Sequence, residues 1–346
     1  MEIAIIFGGS SFEHEISIVS AITLKKVFKK HKTKFIFVDK DREFFLIEPD
    51  SMKAKYFSSG DYKKSKPLTL KKGGFFTQGL IGSKKVEFDV VLNLIHGRDG
   101  EDGKLASIFE FFKIPFIGPR VEASVISYNK LFTKMFAKEL GIDVIEYELL
   151  KKSQKREISL DYPVIIKPLR LGSSIGVSVV KSEDELDYAL DVAFEFDDEV
   201  LIEKFIEGIK EYNLAGCKST AWEFSIVEEP QKEEFLDFDK KYLDFSRDGR
   251  VNEAVLDSNL KERMQNSFKK IYEPLFEGSL IRCDFFIKND KIYLNEINPI
   301  PGSMANYLFD DFEDMIERLS NTIKFEKNIL IDYKYIENIH SAKGKA

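Results

Sequence analysis

Cysteine, histidine and long apolar runs are scarce in this chain of 346 residues, and each scarcity argues against a class of protein. The two cysteines, Cys217 and Cys283, are too few for a disulfide framework, and each lies in an apolar run as a small hydrophobic residue would. The four histidines are not at ligand spacing, which argues against a zinc site of His and Cys. Because no run of about 18 apolar residues occurs, we expect no membrane-spanning helix.

An excess of basic residues is also absent. Asp and Glu outnumber Lys and Arg by 59 to 52, so we expect no surface that follows nucleic-acid phosphates, while a local basic pocket for a small phosphorylated ligand is compatible with this balance. The first residues, MEIAIIFGGSSFEHE, lack the basic and apolar segments of a signal peptide, and we expect a cytoplasmic protein. The length suits two or three domains.

The beginning of the chain is typical of a doubly wound α/β unit. Residues 3–7 predict a buried strand, residues 8–11 predict a tight turn, and a helical apolar pattern follows, with Ser10 and Glu13 at capping-box spacing. Further strands are predicted at 34–38, 88–95 and 114–119. A dinucleotide-dependent oxidoreductase could begin in this way, but the GxGxxG fingerprint is absent.

After residue 120 the pattern changes to a smaller α+β unit. A helical segment ends at Gly141, two strands within 162–180 are joined by a loop, and another strand is predicted within 199–208. The rest of the chain alternates strands with long helices. The polar stretch 228–256 is too long and irregular for a plain connection, which predicts a lid that ligands order. The expected domains are therefore 1–120, 121–212 and 213–346.

Two acids interrupt the apolar hairpin IRCDFFIKNDKIYLNEINPIPGS, residues 281–303, which has a turn signal at 289–290. If the loop has two residues, Asp284 and Glu296 face opposite sides of the sheet. If it has three residues, 289–291, the two acids face each other. We therefore expect the acids to share a face only with the three-residue loop.

The same hairpin places other polar groups near these acids. Arg282 lies on the face of Asp284, and Asn298 would join Glu296 on one face. Opposed carboxylates repel unless a cation lies between them, and carboxylates with an amide oxygen suit Mg²⁺ or Mn²⁺. The alternative is that both acids lie on a solvated face of the hairpin.

Two glycine-rich segments are further candidates for ligand binding. The segment KPLRLGSSIG, residues 167–176 and here called the Gly/Ser loop, could close over phosphates, or it could be an ordinary hairpin turn. Its Lys167 ends an apolar strand, where burial is expected, whereas Lys130 and the pair 240–241 are by default surface lysines. HGRDGEDG, residues 96–103, follows a strand and lies at the sheet edge where α/β folds bind ligands, or it is a glycine-rich turn.

Eight stretches in chain order together resemble the ATP-grasp ligases, and most closely the D-alanine–D-alanine ligase family. They are IFGGSSFEHEIS, HGRDGEDG, YNK, VIIKPLRLGSSIGVS, IEKFIEG followed by Glu211, DKKY, RCDFF and NEINPIPG. The resemblance covers nearly the whole chain. It implies three α/β or α+β domains: a Rossmann-like domain over 1–120 and two ATP-grasp subdomains over 121–212 and 213–346. ATP would lie between the last two, and the amino acids where all three meet.

The resemblance also implies a reaction and a homodimer. ATP would phosphorylate the carboxylate of one D-alanine, and the amine of a second D-alanine would attack the D-alanyl phosphate, giving the dipeptide for peptidoglycan synthesis. Catalysis of this kind is mostly positioning and charge neutralisation. A regulatory protein that had kept the fold and lost the chemistry would have lost the metal set or Arg282, and both are present.

The matching positions carry implied roles. Two Mg²⁺ or Mn²⁺ ions would be held by Asp284, Glu296 and Asn298. The ATP phosphates would be held by Lys130, Lys167, Ser174 and Lys241. Adenine would meet Glu203, Lys204 and Ile206, and the ribose would meet Glu211, although the spacing before Glu211 is one residue longer than usual. Arg282 and the N–H of Gly302 would stabilise the oxyanion.

The amino-acid subsites are implied in the same way. Glu13 would bind the first D-alanine ammonium beside His96, and Glu13, Ser173 and Tyr242 would form a hydrogen-bonded trio across the domains. A tyrosine at position 242 goes with an amine as the second nucleophile. The second D-alanine carboxylate usually meets a serine that here is Tyr307, followed by Leu308, so Tyr307 or Ser303 would make that contact.

Overall fold

The computed structural model describes residues 1–79, 82–230, 253–324 and 328–342, and the strands within these ranges form three sheets. The first sheet has eight strands and the other two have four each. This confirms a fold that mixes α/β and α+β units. Within the described ranges, no helix combines the length and the apolar character needed to cross a membrane.

The first unit holds the eight-stranded sheet. Its strands are β1 (Glu2–Gly8), β2 (Lys32–Val38), β3 (Phe44–Ile47), β4 (Lys66–Lys71), β5 (Gly74–Gln78), β6 (Ser83–Lys85), β7 (Val90–Asn93) and β8 (Phe116–Ile117). Its helices are α1 (His14–Val27), α2 (Ala54–Ser58) and α3 (Lys104–Phe111), with 3-10 turns at Pro49–Ser51 and Asp61–Lys64. The order is β6-β5-β4-β3-β2-β1-β7-β8, in which β2, β1, β7 and β8 run parallel and the other pairs antiparallel.

Strand β1 has the near-continuous apolar sequence that a parallel strand covered on both faces requires, and its residues from Ile3 to Phe7 are fully buried. Gly8 ends the strand with φ of 99°, and a Cβ there would lie 2.2 Å from the carbonyl oxygen of Val38, so only glycine fits. The strands predicted at 3–7 and 34–38 are confirmed, and those predicted at 88–95 and 114–119 are confirmed over the shorter spans of β7 and β8.

The expected capping box at the start of α1 is wrong. Helix α1 begins at His14, its N-cap is Glu13, and no side chain caps it. Ser10 instead donates its backbone N–H to Asp99 (3.0 Å), and the N–H of Glu13 donates to Ser11 Oγ (3.1 Å). The helix therefore has its N-cap at Glu13 and not at Ser10, so the turn after β1 is longer than the capping box predicts. The Glu13 side chain does not cap the helix and can point away from it.

Helices α4 (Val121–Tyr128) and α5 (Lys130–Glu139) lead to the second unit. That unit contains β9 (Tyr147–Lys151), β10 (Val164–Pro168), β11 (Ser178–Val180), β12 (Glu199–Lys204), a 3-10 turn at Glu183–Glu185 and α6 (Leu186–Phe194). The antiparallel sheet has the order β11-β10-β12-β9 and packs its apolar face on α6. The two strands predicted within 162–180, and the loop that joins them, are confirmed.

The third unit contains β13 (Lys210–Lys218), β14 (Trp222–Glu228), β15 (Ile281–Lys288) and β16 (Lys291–Asn298), in the antiparallel order β14-β13-β15-β16. Its helices are α7 (Ser258–Tyr272), α8 (Phe312–Ser320) and α9 (Lys334–Ala342), with a 3-10 segment at Gly302–Leu308. Because β13 begins at Lys210, the boundary expected after residue 212 falls inside one strand. Most of the predicted lid, residues 231–252, lies outside the described ranges.

The apolar core connects the first and third units but not the second. One cluster of buried side chains runs from β1, β2 and α1 to α7, α8, β15 and β16. At their junction the rings of Phe28 and Phe312 lie 5.8 Å apart. The second unit has its own cluster between its sheet and α6. The first and third units therefore share one apolar core, whereas the second unit has a separate core.

Candidate active site

The hairpin of β15 and β16 combines a two-residue turn with a β-bulge. Asn289 and Asp290 have φ of 49° and 60°, and Lys288 pairs with Lys291 across them. Two positive φ values fit a tight two-residue turn. Further along, Phe285 pairs with Leu294 but Asp284 pairs with Glu296, so β16 has one extra residue at this point.

The bulge corrects our expectation about the loop length. Asp284 and Glu296 face each other although the turn has two residues, because Asn295 is the extra residue that shifts the register. As a result Leu294 and Ile297, three residues apart, both point into the core. A regular strand alternates every second residue, so a bulge is needed to put both side chains on that face.

Asp284 is the most constrained acid of the site, with 2% of its surface exposed. Arg282 donates from Nε to Oδ1 (2.7 Å) and from Nη2 to Oδ2 (2.8 Å), and Asn298 Nδ2 donates to Oδ2 (2.9 Å). Burial raises the pKa of Asp284 to about 7, against the effect of Arg282. The acids are therefore not on a solvated face of the hairpin.

The pKa of Glu296 is shifted in the opposite direction. Burial raises its pKa, but Lys130, Lys167 and then Arg282 outweigh burial, and the net shift of the pKa is downward. Two facing carboxylates repel each other, and Arg282, Lys130 and Lys167 are the cations that act on this pair.

A polar row that we did not predict extends across the third sheet. Asn213 on β13 lies directly opposite Asp284 on one side and Glu228 of β14 on the other. Asn213 Nδ2 donates to Glu228 Oε2 (3.2 Å), while its Oδ1 is buried and has no hydrogen-bond partner among the described residues. The sequence signal was a polar residue within the apolar strand YNLAGC, a weaker signal than an acid.

The Gly/Ser loop and α5 bring lysines to this sheet. Asn129 caps α5 by accepting from the N–H of Leu131 (3.0 Å), and Lys130 in the first turn donates its ammonium to the carbonyl of Leu171. The default assignment of Lys130 to the surface is therefore wrong. Lys167 Nζ lies 2.6 Å from Glu203 Oε2 and 3.4 Å from Asn295 Oδ1, and 13% of the Lys167 side chain is exposed, so this lysine is partly buried.

Glu13 connects the first unit to the Gly/Ser loop of the second. Ser173 donates its hydroxyl to Glu13 Oε1, and Glu13 Oε2 has no hydrogen-bond partner among the described residues. A Cβ at Gly97 would lie 2.5 Å from Oε2 and one at Gly172 would lie 3.0 Å from Oε1, so both glycines are needed for this approach. Burial, and then Glu101, raise the pKa of Glu13. Tyr242, the expected third member of the trio, and Lys241 lie outside the described residues.

His96 forms a second connection, between the first and third units. Its Nε2 lies 3.1 Å from the Ser20 hydroxyl, which also accepts from the backbone N–H of Ser303 (3.2 Å). Burial lowers the pKa of His96, which favours the neutral imidazole. Its Nδ1 lies 3.7 Å from Glu101, and burial raises the pKa of that carboxyl to about 8.

The segment after Asn298 contains the remaining candidates. Gly302 begins the 3-10 segment, and Ser303 has φ of 47° with a buried hydroxyl that lacks a partner among the described residues. Burial raises the pKa of Tyr307, against the effect of the nearby Arg282. Leu308 is buried against Ala215. Ser303 and Tyr307 therefore both border the site, on different sides.

Other predicted nucleotide residues lie around Glu203. Lys204 ends β12 and Ile206 follows it, Ser174 lies in the Gly/Ser loop, and Glu211 lies near the start of β13. Glu211 acts electrostatically on both Lys167 and Asp284, so it is close to the site. Lys134, which we did not predict, pairs with Glu203.

The described residues include no cluster of three His, Cys, Asp or Glu side chains arranged for a metal. The set formed by Asp284, Glu296 and Asn298 has two carboxylates and an amide, which is a donor set of hard oxygen ligands. A divalent cation between the two carboxylates would relieve their repulsion. These residues fit a Mg²⁺ or Mn²⁺ site with phosphate oxygens completing the shell.

Three α/β or α+β units, a Gly/Ser loop facing a sheet with paired acids, and buried lysines between them define the class of ATP-grasp ligases. Sequence models of two families match the chain: "D-ala D-ala ligase N-terminus" over residues 2–119 and "D-ala D-ala ligase C-terminus" over residues 136–318. The chain belongs to the D-alanine–D-alanine ligase family.

Individual relatives agree with this assignment. A D-alanine–D-alanine ligase of Sulfurovum sp. is 67% identical over 346 residues, covering 100% of both chains. One of Nitratiruptor sp. is 59% identical and covers 99% of this chain and 100% of its own. The crystal structure of the D-alanine–D-alanine ligase from Helicobacter pylori is 50% identical and superposes with a TM-score of 0.84, covering 94% of this chain and 100% of the other.

Proposed function

We propose that this protein joins two D-alanine molecules into D-alanyl-D-alanine at the expense of ATP, releasing ADP and phosphate, for the synthesis of peptidoglycan precursors. The observation that carries the proposal is full-length similarity, at 67% identity, to a protein named for this activity. The gathering of the expected residues of all three units around Glu296 and Glu13 supports it. The enzyme is an ADP-forming ligase with ATP as a substrate.

We assign the nucleotide to the space between the second and third units. Glu203, Lys204 and Ile206 would contact adenine, and Glu211 the ribose. The phosphates would meet Lys130, Lys167, Ser174 and Lys241. The partly buried ammonium groups of Lys130 and Lys167 support this assignment, because these cations already act on Glu296.

Asp284, Glu296 and Asn298 would hold the divalent cations, two Mg²⁺ or Mn²⁺. When bound, such ions neutralise phosphate charge and bring the nucleotide and the acceptor carboxylate together. The chain's own contribution is to fix the ligands: Arg282 and Asn298 orient Asp284, and the bulge at Asn295 directs Glu296 to the same face.

The first D-alanine would be held by Glu13 through its ammonium group, beside neutral His96. Its carboxylate oxygen attacks the γ-phosphorus, the bond to ADP breaks, and D-alanyl phosphate forms. The nitrogen of the second D-alanine then attacks the carbonyl carbon. Arg282 and the N–H of Gly302 would stabilise the oxyanion before phosphate leaves with the former carboxylate oxygen.

The second D-alanine carboxylate would contact Tyr307 or Ser303, with Leu308 beside it. The electrostatic effect of Arg282 on Tyr307 favours Tyr307, because Arg282 is the group expected to bind the tetrahedral intermediate. We also propose a homodimer, a cytoplasmic location, and domain limits near residues 120 and 210, with the second limit moved from the expected residue 212 to the start of β13. Tyr242 would complete the trio with Glu13 and Ser173.

The test is release of ADP and phosphate by the purified protein with ATP and Mg²⁺. We expect release to depend on D-alanine, and D-lactate or D-serine in its place to support less. Equal release without D-alanine would contradict the proposed substrate. Analytical ultracentrifugation of the same sample tests the proposed dimer.

A further inference from the structure

Lys134 on α5 is a lysine with only 1% of its side chain exposed. Its ammonium forms an ion pair with Oε1 of Glu203, and the ammonium of Lys167 lies 2.6 Å from Oε2 of the same carboxylate. Lysine is almost never fully buried unless it is paired. One buried carboxylate therefore faces two lysines, one at each oxygen.

Two lysine ammonium groups face this one carboxylate, and burial lowers the pKa of Lys134 against the effect of Glu203. Burial raises the pKa of Glu203, but Lys134 and then Lys167 outweigh burial, so the pKa falls to about 2 and Glu203 is a carboxylate. Asn295 Oδ1 lies 3.4 Å from Lys167 Nζ, so Lys167 also faces the metal-binding side of the third sheet. Lys134 lies within α5, and its ion-pair partner among the described residues is Glu203.

In the proposed function, one of the two lysines also binds ATP. Lys167 is assigned to the ATP phosphates, and Glu203 is assigned to adenine. When Lys167 pairs with a phosphate, it no longer neutralises Glu203 fully. A buried carboxylate that loses its counter-ion either takes up a proton or destabilises the complex.

We propose that Lys134 is a positioning residue of the adenine site, which keeps the Glu203 carboxylate charged and fixed in place while Lys167 binds the phosphates of ATP. The proposal rests on the nucleotide site assigned above. Lys134 acts through Glu203 and needs no contact with the nucleotide.

The charge of Glu203 affects which nucleotide base the site prefers. A carboxylate only accepts hydrogen bonds, whereas a protonated carboxyl also donates one. Adenine has an amino group at position 6, which donates, and guanine has a carbonyl oxygen there, which accepts. A charged Glu203 thus favours ATP over GTP, and a protonated Glu203 discriminates less.

The first experiment compares Lys134→Met with Lys138→Met. Lys138 is on the same helix one turn later, is exposed, and lies over the ring of Tyr147 at 4.3 Å. For Lys134→Met we expect the KM for ATP to rise by about tenfold or more, since a buried charge loses its partner. The preference for ATP over GTP in kcat/KM should fall, while kcat at saturating ATP and the KM for D-alanine change little. Lys138→Met should match the wild type.

A second set of variants separates this role from a merely structural one. In a Glu203→Gln background, Lys134→Met should cause no further loss of ATP preference, because the charge on which Lys134 acts is already gone. Lys134→Arg should retain the preference. If Lys134→Met alone fails to fold, the comparison of Glu203→Gln with the double variant, in which both charges are removed, still applies.

Three results would overturn the proposal. They are an unchanged KM for ATP in a folded Lys134→Met, an unchanged ATP-to-GTP preference, or a full additional loss in the Glu203→Gln background. A wild type that is inactive with ATP and D-alanine would instead refute the proposed function. An active wild type with an unaffected Lys134→Met refutes only the role of Lys134.

Discussion

Glu296 and Asp284 face each other across β15 and β16, and the charge of each is set by different neighbours. Arg282 and Asn298 contact Asp284 directly, whereas Glu296 is acted on mainly by Lys130 of α5 and Lys167 of the second unit. Glu296 is therefore the acid on which cations from other elements converge. Its loss should affect cation binding more than the fold of the hairpin.

We predict that Glu296→Gln lowers D-alanine-dependent turnover by at least about 10- to 100-fold, which is the loss expected when a group that supports a metal ligand is removed. The amide keeps the shape of the side chain but supplies one weaker oxygen ligand. The concentration of Mg²⁺ needed for half-maximal rate should rise. Steady-state phosphate release over a Mg²⁺ titration measures both effects.

Glu262→Gln is the matched control for this variant, because Glu262 is an exposed carboxylate on α7 of the same unit. It should have the rate and the Mg²⁺ dependence of the wild type. Near-normal kcat in Glu296→Gln would remove this residue from the proposed metal site.

A pH dependence of stability follows from Glu101. Burial raises its pKa from 4.5 to about 8 in the folded protein, so the folded state holds a proton that the unfolded state releases. Stability should therefore fall as pH rises from 4.5 to about 8. Glu101→Gln does not ionise. We predict that its Tm exceeds that of the wild type by about 2–4 °C above this range.

Scanning calorimetry at about pH 5 and pH 9 measures this difference, which should nearly vanish at the lower pH. Glu262→Gln should follow the wild type at both pH values. A constant difference in Tm between Glu101→Gln and the wild type would mean that Glu101 does not titrate in this range.

At the scale of elements, the β15–β16 hairpin shows what the sequence could and could not predict. The two strands and the turn residues were predicted, whereas the acids were expected to face each other only with a three-residue loop. The register was not predicted, because a side-chain period of two residues gives no sign of an extra residue, and Asn295 resembles any other polar position. The bulge becomes visible only when Leu294 and Ile297 are both found in the core.

The lysines of α5 illustrate a second limit. Lys130, Lys134 and Lys138 recur every four residues, which is typical of a solvated helix face. The structure buries Lys134 because Glu203 of β12 lies opposite it, and that pairing joins residues distant in sequence. A polar residue that is buried by a tertiary partner leaves no periodic signal of its own.

The two-residue turn gives a prediction at this scale. Asp290 has φ of 60°, which glycine adopts without strain. We predict that Asp290→Gly raises the free energy of unfolding by about 0.5–1 kcal/mol, less the small contribution of the exposed ion pair with Arg263. Urea denaturation measures it.

Asp290→Ala is the control, because alanine removes the same ion pair without relieving the backbone. It should be less stable than the wild type. Equal stability of the glycine and alanine variants would argue that this position is not left-handed in solution, and would reopen the three-residue turn.

At the scale of the whole molecule, the three units contribute differently to one site. The first and third units share a continuous core, and the Ser20 hydroxyl joins His96 to Ser303 between them. The second unit has its own core and reaches the first through the hydrogen bond from Ser173 to Glu13. The order of motifs along the chain predicted this meeting of units. Their shared packing depends on contacts distant in sequence and was not predictable.

The central claim is that D-alanine is activated as an acyl phosphate in this site. The most direct test supplies D-alanine labelled with ¹⁸O at both carboxylate oxygens, together with ATP and Mg²⁺, and analyses the products by mass spectrometry. We predict that each released phosphate carries one ¹⁸O, because the carboxylate oxygen that attacks the γ-phosphorus leaves with it, and that the dipeptide retains one ¹⁸O in its peptide bond. Unlabelled phosphate, or label transferred to AMP, would contradict the account.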